Sequence, residues 1–352
     1  MNKILTRFVS FIFLLLTAGI LYAGPNQWTL TEGIYPLDGC YVTICPSNNN
    51  VLYATCGAKL VPRYLFKSND KGNTWSQVTY YNYTHWMDHV VCSPENSSTI
   101  FLTDIITNYI YKSNDGGYTM SPVTTGINTT IRITDVCYIN DTSKTLYLGA
   151  GFVYKSTDGG NTWSPASTGM GDVGYINFSV SPMNSSLIYA TGGNGLYKTI
   201  NGGDHWSLLT SSSNNWKCIR VNPVNPDIVY AVQKYNPFLY KSINGGVSWS
   251  LVTSSFPGDT YINDICVVPG NLSTLFVSLS QFYGIYKSED TGENWSPMNE
   301  GLSTTPSNFD NLLAIPNKSI TILGTSYGGI YSYTLTSTSV DKKQWEMFEE
   351  KK

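Results

Sequence analysis

Residues 156–163 read Ser156-Thr157-Asp158-Gly159-Gly160-Asn161-Thr162-Trp163, and this octapeptide decides the fold because it is not alone. Close copies are SNDKGNTW at 68–75, SNDGGYTM at 113–120, TINGGDHW at 199–206, SINGGVSW at 242–249 and SEDTGENW at 288–295. Their starts are separated by 45, 43, 43, 43 and 46 residues, a fixed period that marks a repeat architecture. Gly-Gly pairs supply positive φ without steric cost, and the Asp or Asn oxygen bonds the turn's own N–H groups, so each copy predicts a tight β-hairpin. Asp70, Asp115, Asp158, Asn201, Asn244 and Asp290 are read as structural turn residues. One carboxylate per loop is too few oxygens for Ca²⁺.

Working outward, an apolar-aromatic-Lys tripeptide precedes each hairpin, for example Val153-Tyr154-Lys155 and Leu196-Tyr197-Lys198. Further upstream lie an alternating run such as Ile188-Tyr189-Ala190 and an apolar run ending near Pro, such as Phe178–Pro182. With the short tail after each Trp, this makes four strands per unit, rich in β-branched and aromatic residues. A four-stranded antiparallel sheet repeated at this period is a propeller blade. After the sixth hairpin, Asn311–Pro316, Ile320–Gly324 and Gly329–Tyr333 read as three more strands with no fourth. Asn26-Gln27-Trp28-Thr29-Leu30 matches Asn161–Pro165 and supplies it. The expectation is an all-β, seven-bladed propeller whose last blade takes its outer strand from the N-terminus, which removes two open sheet edges.

The octapeptide resembles the Asp-box, or BNR repeat, with consensus Ser/Thr-x-Asp-x-Gly-x-Thr-Trp. The resemblance covers nearly the whole chain after residue 23. It is similar to the propellers of sialidases, sortilin-type receptors, xyloglucanase-type glycoside hydrolases and photosystem II assembly factors, so it implies a fold and leaves the function open. A sialidase would imply an arginine triad and a Phe/Tyr-Arg-Ile-Pro motif. After residue 23 only Arg63, Arg132 and Arg220 are present, none in that motif. A xyloglucanase would imply a second propeller across a catalytic cleft, and a photosystem II factor a basic patch that this composition does not supply.

Residues 1–23 carry Lys3 and Arg7, then an apolar core from Phe8 to Leu21, and read as a secretory signal peptide cleaved after Ala23. The propeller is assigned to 24–336 and a charged tail to 337–352. No later apolar run is long enough to span a bilayer. Formal net charge is −3 for the 352 residues, and charged residues make up only 13%. That excludes a nucleic-acid surface and fits a secreted, periplasmic or extracellular protein, expected to be a monomer. Seven cysteines leave at least one unpaired. Hairpin pairing would bring Cys40 or Cys45 near Cys56, while Cys92, Cys137, Cys218 and Cys266 read as small buried hydrophobes on inner strands. No CxxC pair occurs, so no metal is expected, and no motif calls for a cofactor.

Aligning the blades on their first-strand prolines gathers non-repeated residues at one channel mouth. They are Trp86, Asp88, His89, Arg132, Asp135, Tyr175, Trp216, Lys217, Tyr261, Asp264 and Asp310, with Tyr235 and Phe282 among those on facing loops. Positions that the repeat does not need are free to serve a ligand. Rings among carboxylates suit sugar faces or peptide side chains, so Trp86, Asp88, Trp216, Tyr261 and Asp264 are the ligand-binding candidates. The expected function is a non-catalytic binding or scaffold propeller for a glycan or a protein. The alternative is a glycoside hydrolase using a carboxylate pair among Asp88, Asp135, Asp264 and Asp310.

Overall fold

In a computed structural model, all regular structure among the described residues is β: 28 strands form seven four-stranded antiparallel sheets. The structure describes residues 27–335, apart from 35–38, 58–63, 81–86, 140–143, 172–173, 194, 212–215, 254–255, 259, 270, 272, 303–307, 317–319 and 327. The signal segment 1–23, the tail 337–352 and Trp86 lie outside the described residues.

Six blades use four consecutive strands each, ordered from the inside outward. Their inner strands are Cys40–Cys45, Met87–Cys92, Asp135–Tyr138, Phe178–Ser181, Trp216–Val221 and Ile262–Val267. Blade 7 runs Phe309–Ile315, Thr321–Ser326, Gly329–Thr334 and then Thr29–Leu30, with Thr29 opposite Ser332 and Leu30 opposite Tyr331. Neighbouring inner strands touch around the ring, blade 7 against blade 1 included. Second strands such as Ile100–Asp104, Leu146–Ala150 and Leu275–Leu279 are buried at every position. Each is sandwiched between two blades, which is why these strands are mostly apolar, with buried polar residues such as Thr103, Asp104 and Ser278 towards one end.

The hairpins do what their sequence predicts. Asp158 Oδ1 accepts from Ser156 Oγ at 2.8 Å, Thr162 N at 3.0 Å and Asn161 N at 2.9 Å, and Oδ2 accepts from Thr162 Oγ1 at 2.7 Å. Ser156 Oγ in turn accepts from Gly160 N at 2.8 Å. Asp70, Asp115 and Asp290 repeat this pattern, and Asn201 and Asn244 keep it with an amide oxygen. Burial works against the Asp158 charge, but the Thr162, Ser156 and Asn161 donors outweigh it and hold the carboxyl at about 2. Gly160 sits at φ +79°, and a Cβ there would land on the Phe101 ring of the preceding blade. The repeated Lys closes the same joint: Lys112 Nζ donates to Gly159 O at 2.8 Å, Lys155 Nζ to Gly202 O at 2.7 Å and Lys198 Nζ to Gly245 O at 3.1 Å.

The tryptophans join blades. Trp163 Nε1 donates to Val123 O at 3.0 Å, Trp206 Nε1 to Ala166 O at 2.8 Å and Trp28 Nε1 to Met298 O at 2.7 Å, each acceptor lying in the tail of the preceding blade. A glycine packs against each tryptophan carbonyl: Gly126 on Trp163, Gly169 on Trp206 and Gly301 on Trp28. Trp28 therefore occupies the position of Trp163 and Trp206, which fixes the N-terminal strand as the outer strand of blade 7.

One expectation changes. Cys92 is not a lone buried hydrophobe: it is disulfide-bonded to Cys45, tying blade 1 to blade 2. The reason is that Cys45 and Cys92 end adjacent inner strands, where neighbouring blades converge. Cys40 pairs with Cys56 inside blade 1. Cys137, Cys218 and Cys266 are free, and burial pushes the thiols of Cys218 and Cys266 up to about 11 and 12.

Candidate functional site at one mouth of the channel

Inner-strand polar residues form a belt around the channel wall. Asp135 Oδ2 accepts from Phe178 N at 2.8 Å and Asn177 Nδ2 at 3.0 Å, and its Oδ1 accepts from Val136 N at 2.8 Å. Asn177 Oδ1 accepts from Arg220 Nη1 at 2.7 Å, and Arg220 Nη2 donates to Asp264 Oδ1 at 2.8 Å. Asp264 Oδ2 accepts from Leu312 N at 3.1 Å and Asn311 Nδ2 at 3.3 Å, and Asn311 Oδ1 accepts from Val42 N at 3.2 Å. The belt thus runs from blade 3 through blades 4, 5, 6 and 7 to blade 1. In four steps a side-chain oxygen takes an N–H of the next inner strand, the fourth being Ile219 N to Asn177 Oδ1 at 3.4 Å. Burial pushes the Asp135 carboxyl above its usual range, against the opposing pull of His89, the Phe178 N–H and Arg220. Burial tends to lower the Arg220 guanidinium, but Asp264 beside it more than compensates and holds it protonated. A cavity of about 280 Å³ lies along the channel, with Tyr41, Asp135 and Arg220 at one end and Pro46 and Pro94 at the other.

Above the belt, four inner strands carry a β-bulge at their mouth end. Pairing skips Asp88 and His89 in blade 2, Lys217 in blade 5, Asn263 in blade 6 and Asp310 in blade 7. A bulge leaves its extra residue out of the ladder and re-aims its side chain. His89 Nδ1 stands 3.6 Å from Asp88 Oδ2, and its ring meets Tyr41 edge-on at 4.5 Å between centroids. Lys217 Nζ donates to Asn263 Oδ1 at 2.8 Å and lies 5.6 Å from the Tyr261 ring centroid. Burial depresses the Lys217 ammonium, and Lys234 adds to that, against the pull of Asp264 and Asp310.

The facing loops complete the mouth. Lys234 Nζ sits 5.3 Å from the Tyr175 ring and 5.1 Å from the Tyr235 ring, and Tyr235 meets Tyr261 edge-on at 6.2 Å. Tyr235 is 68% exposed and Phe282 55%. Both hold left-handed backbone, at φ 62° and 70°, and Gln281 before Phe282 does too, at 53°. Bulky residues pay about 1–2 kcal/mol in that region, where glycine is the ordinary choice. Two exposed aromatics on strained loops at one mouth point to selection for something other than folding.

The structure thus divides the candidates proposed from sequence. Tyr261 is half-buried in the lysine–tyrosine cluster, while Asp88 sits with His89 on the blade 2 bulge. Asp264 is 4% exposed and belongs to the belt. Trp216 is 6% exposed, edge-on to Tyr240 and packed among Leu187, Tyr189 and Leu196 of blade 4, so it presents no ring face at the mouth. Arg220, Asn177, Asn311 and Lys234 were not singled out for the mouth. The one local signal is Tyr235, placed on a facing loop by the blade alignment, with Lys234 next to it in sequence.

No family model matches the chain, and no curated protein matches it either. Solved structures do share its fold. A YCF48 structure bound to a D1 peptide superposes with TM-score 0.67 at 14% identity, covering 91% of this chain and 99% of that one. YCF48 from Cyanidioschyzon merolae gives 0.62 at 14%, covering 88% and 97%. A GH74 enzyme from Niastella koreensis gives 0.62 at 20%, covering 85% of this chain but 52% of that one. At these identities the likeness is one of fold: the chain is a seven-bladed β-propeller.

Proposed function

We propose that this is an exported, non-catalytic binding propeller that takes a protein or glycan ligand at the mouth over blades 4–6. The observation that carries the reading is the pair of exposed rings, Tyr235 and Phe282, on left-handed loops of blades 5 and 6, with Lys234 against the Tyr235 ring and Lys217 against Tyr261. Rings and ammonium groups bind; they do not cleave glycosidic bonds, which takes an acid and a second carboxylate facing one another across the substrate. Asp135 and Asp264, two carboxylates of the channel wall, have their oxygens committed to the belt. The YCF48 structure with a bound peptide supports a protein ligand on such a fold. Export is supported by the sequence of residues 1–23 and by the two disulfides. The GH74 structures favour the hydrolase alternative, yet the chain spans about half the length of those enzymes.

The test is a glycan and peptide array on the purified chain lacking residues 1–23, with reducing-end release measured on the same glycans. Binding without release, lost on Lys234→Gln, is expected. Release that disappears on replacing Asp88 or Asp310 would establish the hydrolase instead.

A further inference from the structure

We propose that the mouth over blades 4–6 is a receptor for an acidic oligosaccharide, whose carboxylate docks at the Lys217 and Lys234 ammonium groups while its sugar faces lie on the rings of Tyr235 and Phe282. This rests on the binding reading above and names the ligand's chemistry. Other lysines show why these two stand apart. Lys112, Lys155 and Lys198 are spent on carbonyls of the next blade. Among the described residues, Lys217 and Lys234 form no ion pair, and Lys217 bonds only a neutral amide, Asn263. They flank one aromatic pair, Lys217 against Tyr261 and Lys234 against Tyr235, and Lys234 opposes the Lys217 charge while Asp264 and Asp310 favour it. An anion bound between them offsets that repulsion, whereas a neutral ligand covering them desolvates two ammonium groups and supplies no counter-charge.

The backbone at the mouth argues for a sugar over an extended peptide. Four of its N–H groups are already taken: Tyr261 N by Ser280 Oγ, Ser280 N by Tyr261 O, Phe282 N by Asn308 Oδ1 and Gln233 N by Phe238 O. Among the described residues these four N–H groups are closed to an added strand, so recognition there falls to side chains. Exposed ring faces suit the C–H face of a pyranose, and the ammonium pair suits its carboxylate.

The test uses uronate tetrasaccharides (galacturonate, mannuronate and hyaluronan types), the fully methyl-esterified galacturonate tetramer and tetraglutamate, titrated calorimetrically into the chain lacking residues 1–23. At least one uronate is expected to bind, with affinity falling as salt rises. The ester, with the same ring faces and no charge, is expected to bind at least about tenfold more weakly, as for loss of a charge-assisted hydrogen bond. Lys234→Gln should lose about as much at an unchanged melting temperature, and Tyr235→Gly should lose affinity without losing stability. Equal binding of the ester, or full affinity in Lys234→Gln, overturns the inference. So does tight binding of tetraglutamate, which makes the site one for acidic peptides. No binding of any uronate also overturns it, while the mouth reading survives if a ligand found by array is lost in Lys234→Gln.

Discussion

Replacing Asp264 with alanine separates a structural belt from a catalytic site. The Asp264 side chain is 5% exposed and its Oδ1 lies 2.8 Å from Arg220 Nη2. Removing it leaves a guanidinium facing an apolar methyl and strips the acceptor from Leu312 N and Asn311 Nδ2. Breaking a buried pair by deleting one partner costs about 3–5 kcal/mol. Arg220 is 28% exposed and keeps its bonds to Asn177 and Ile219 O, so the low end, about 3 kcal/mol, applies here. For a domain this large that lowers the melting temperature by roughly 5 °C. Asp264→Asn keeps an acceptor of the same shape and should cost about 1–2 kcal/mol. Arg220→Met/Asp264→Leu removes both charges and should recover most of the loss. The assay is thermal and urea unfolding of the four proteins. An Asp264→Ala chain that melts with the parent refutes the belt. So does one that loses ligand or activity at unchanged stability.

Three further outcomes follow from the fold. Trp28→Ala opens a cavity where blade 7 closes on blade 6 and frees the Met298 carbonyl, so unfolding free energy should fall by about 3–5 kcal/mol in a denaturant titration; a change under ~1 kcal/mol would show that closure does not hold the ring. The carboxyl of Asp158 is held at about 2 and those of Asp70 and Asp290 are lowered by their hairpin donors. A depressed native value gives stability that is present above the unfolded value of ~3.9 and lost as pH falls through the native one. Melting temperature should therefore drop between about pH 4 and pH 2, less so in a variant with these three carboxylates changed to Asn, as the chain already has at 201 and 244. Tyr235→Gly relieves a left-handed backbone but adds unfolded-state freedom, two effects of about 1 kcal/mol that offset, so its melting temperature should stay within error; a marked fall would make Tyr235 a packing residue.

The blades were legible because their signals are local. Gly-Gly and the Ser/Thr–Asp pair sit within eight residues and bond to each other, and the Trp that closes the same octapeptide marks the joint to the preceding blade. Closure was legible because Trp28 repeats the setting of Trp163, and Glu32-Gly33 after it repeats Thr168-Gly169 after Trp163. The mouth was only half legible. Trp216 and Lys217 are adjacent, and alternation along a strand cannot say which of the two faces the channel when the register shifts between Trp216 and Cys218. That bulge sends Trp216 between blades and Lys217 to the mouth. The belt was less visible still, since Arg220 and Asp264 are 44 residues apart and nothing in either segment announces the other. The Cys45–Cys92 bond, spanning 47 residues between blades, was hidden for the same reason.

Binding without cleavage at the mouth over blades 4–6 is open to one direct measurement. Calorimetric titration of the array-identified ligand into the parent chain and into a Lys234→Gln/Tyr235→Gly double variant tests it most directly. The double variant is expected to lose affinity about tenfold or more, on the order expected for central ring and charge contacts, at an unchanged melting temperature and with the ligand recovered intact. Undiminished affinity in the double variant, or a ligand recovered as fragments, would contradict it.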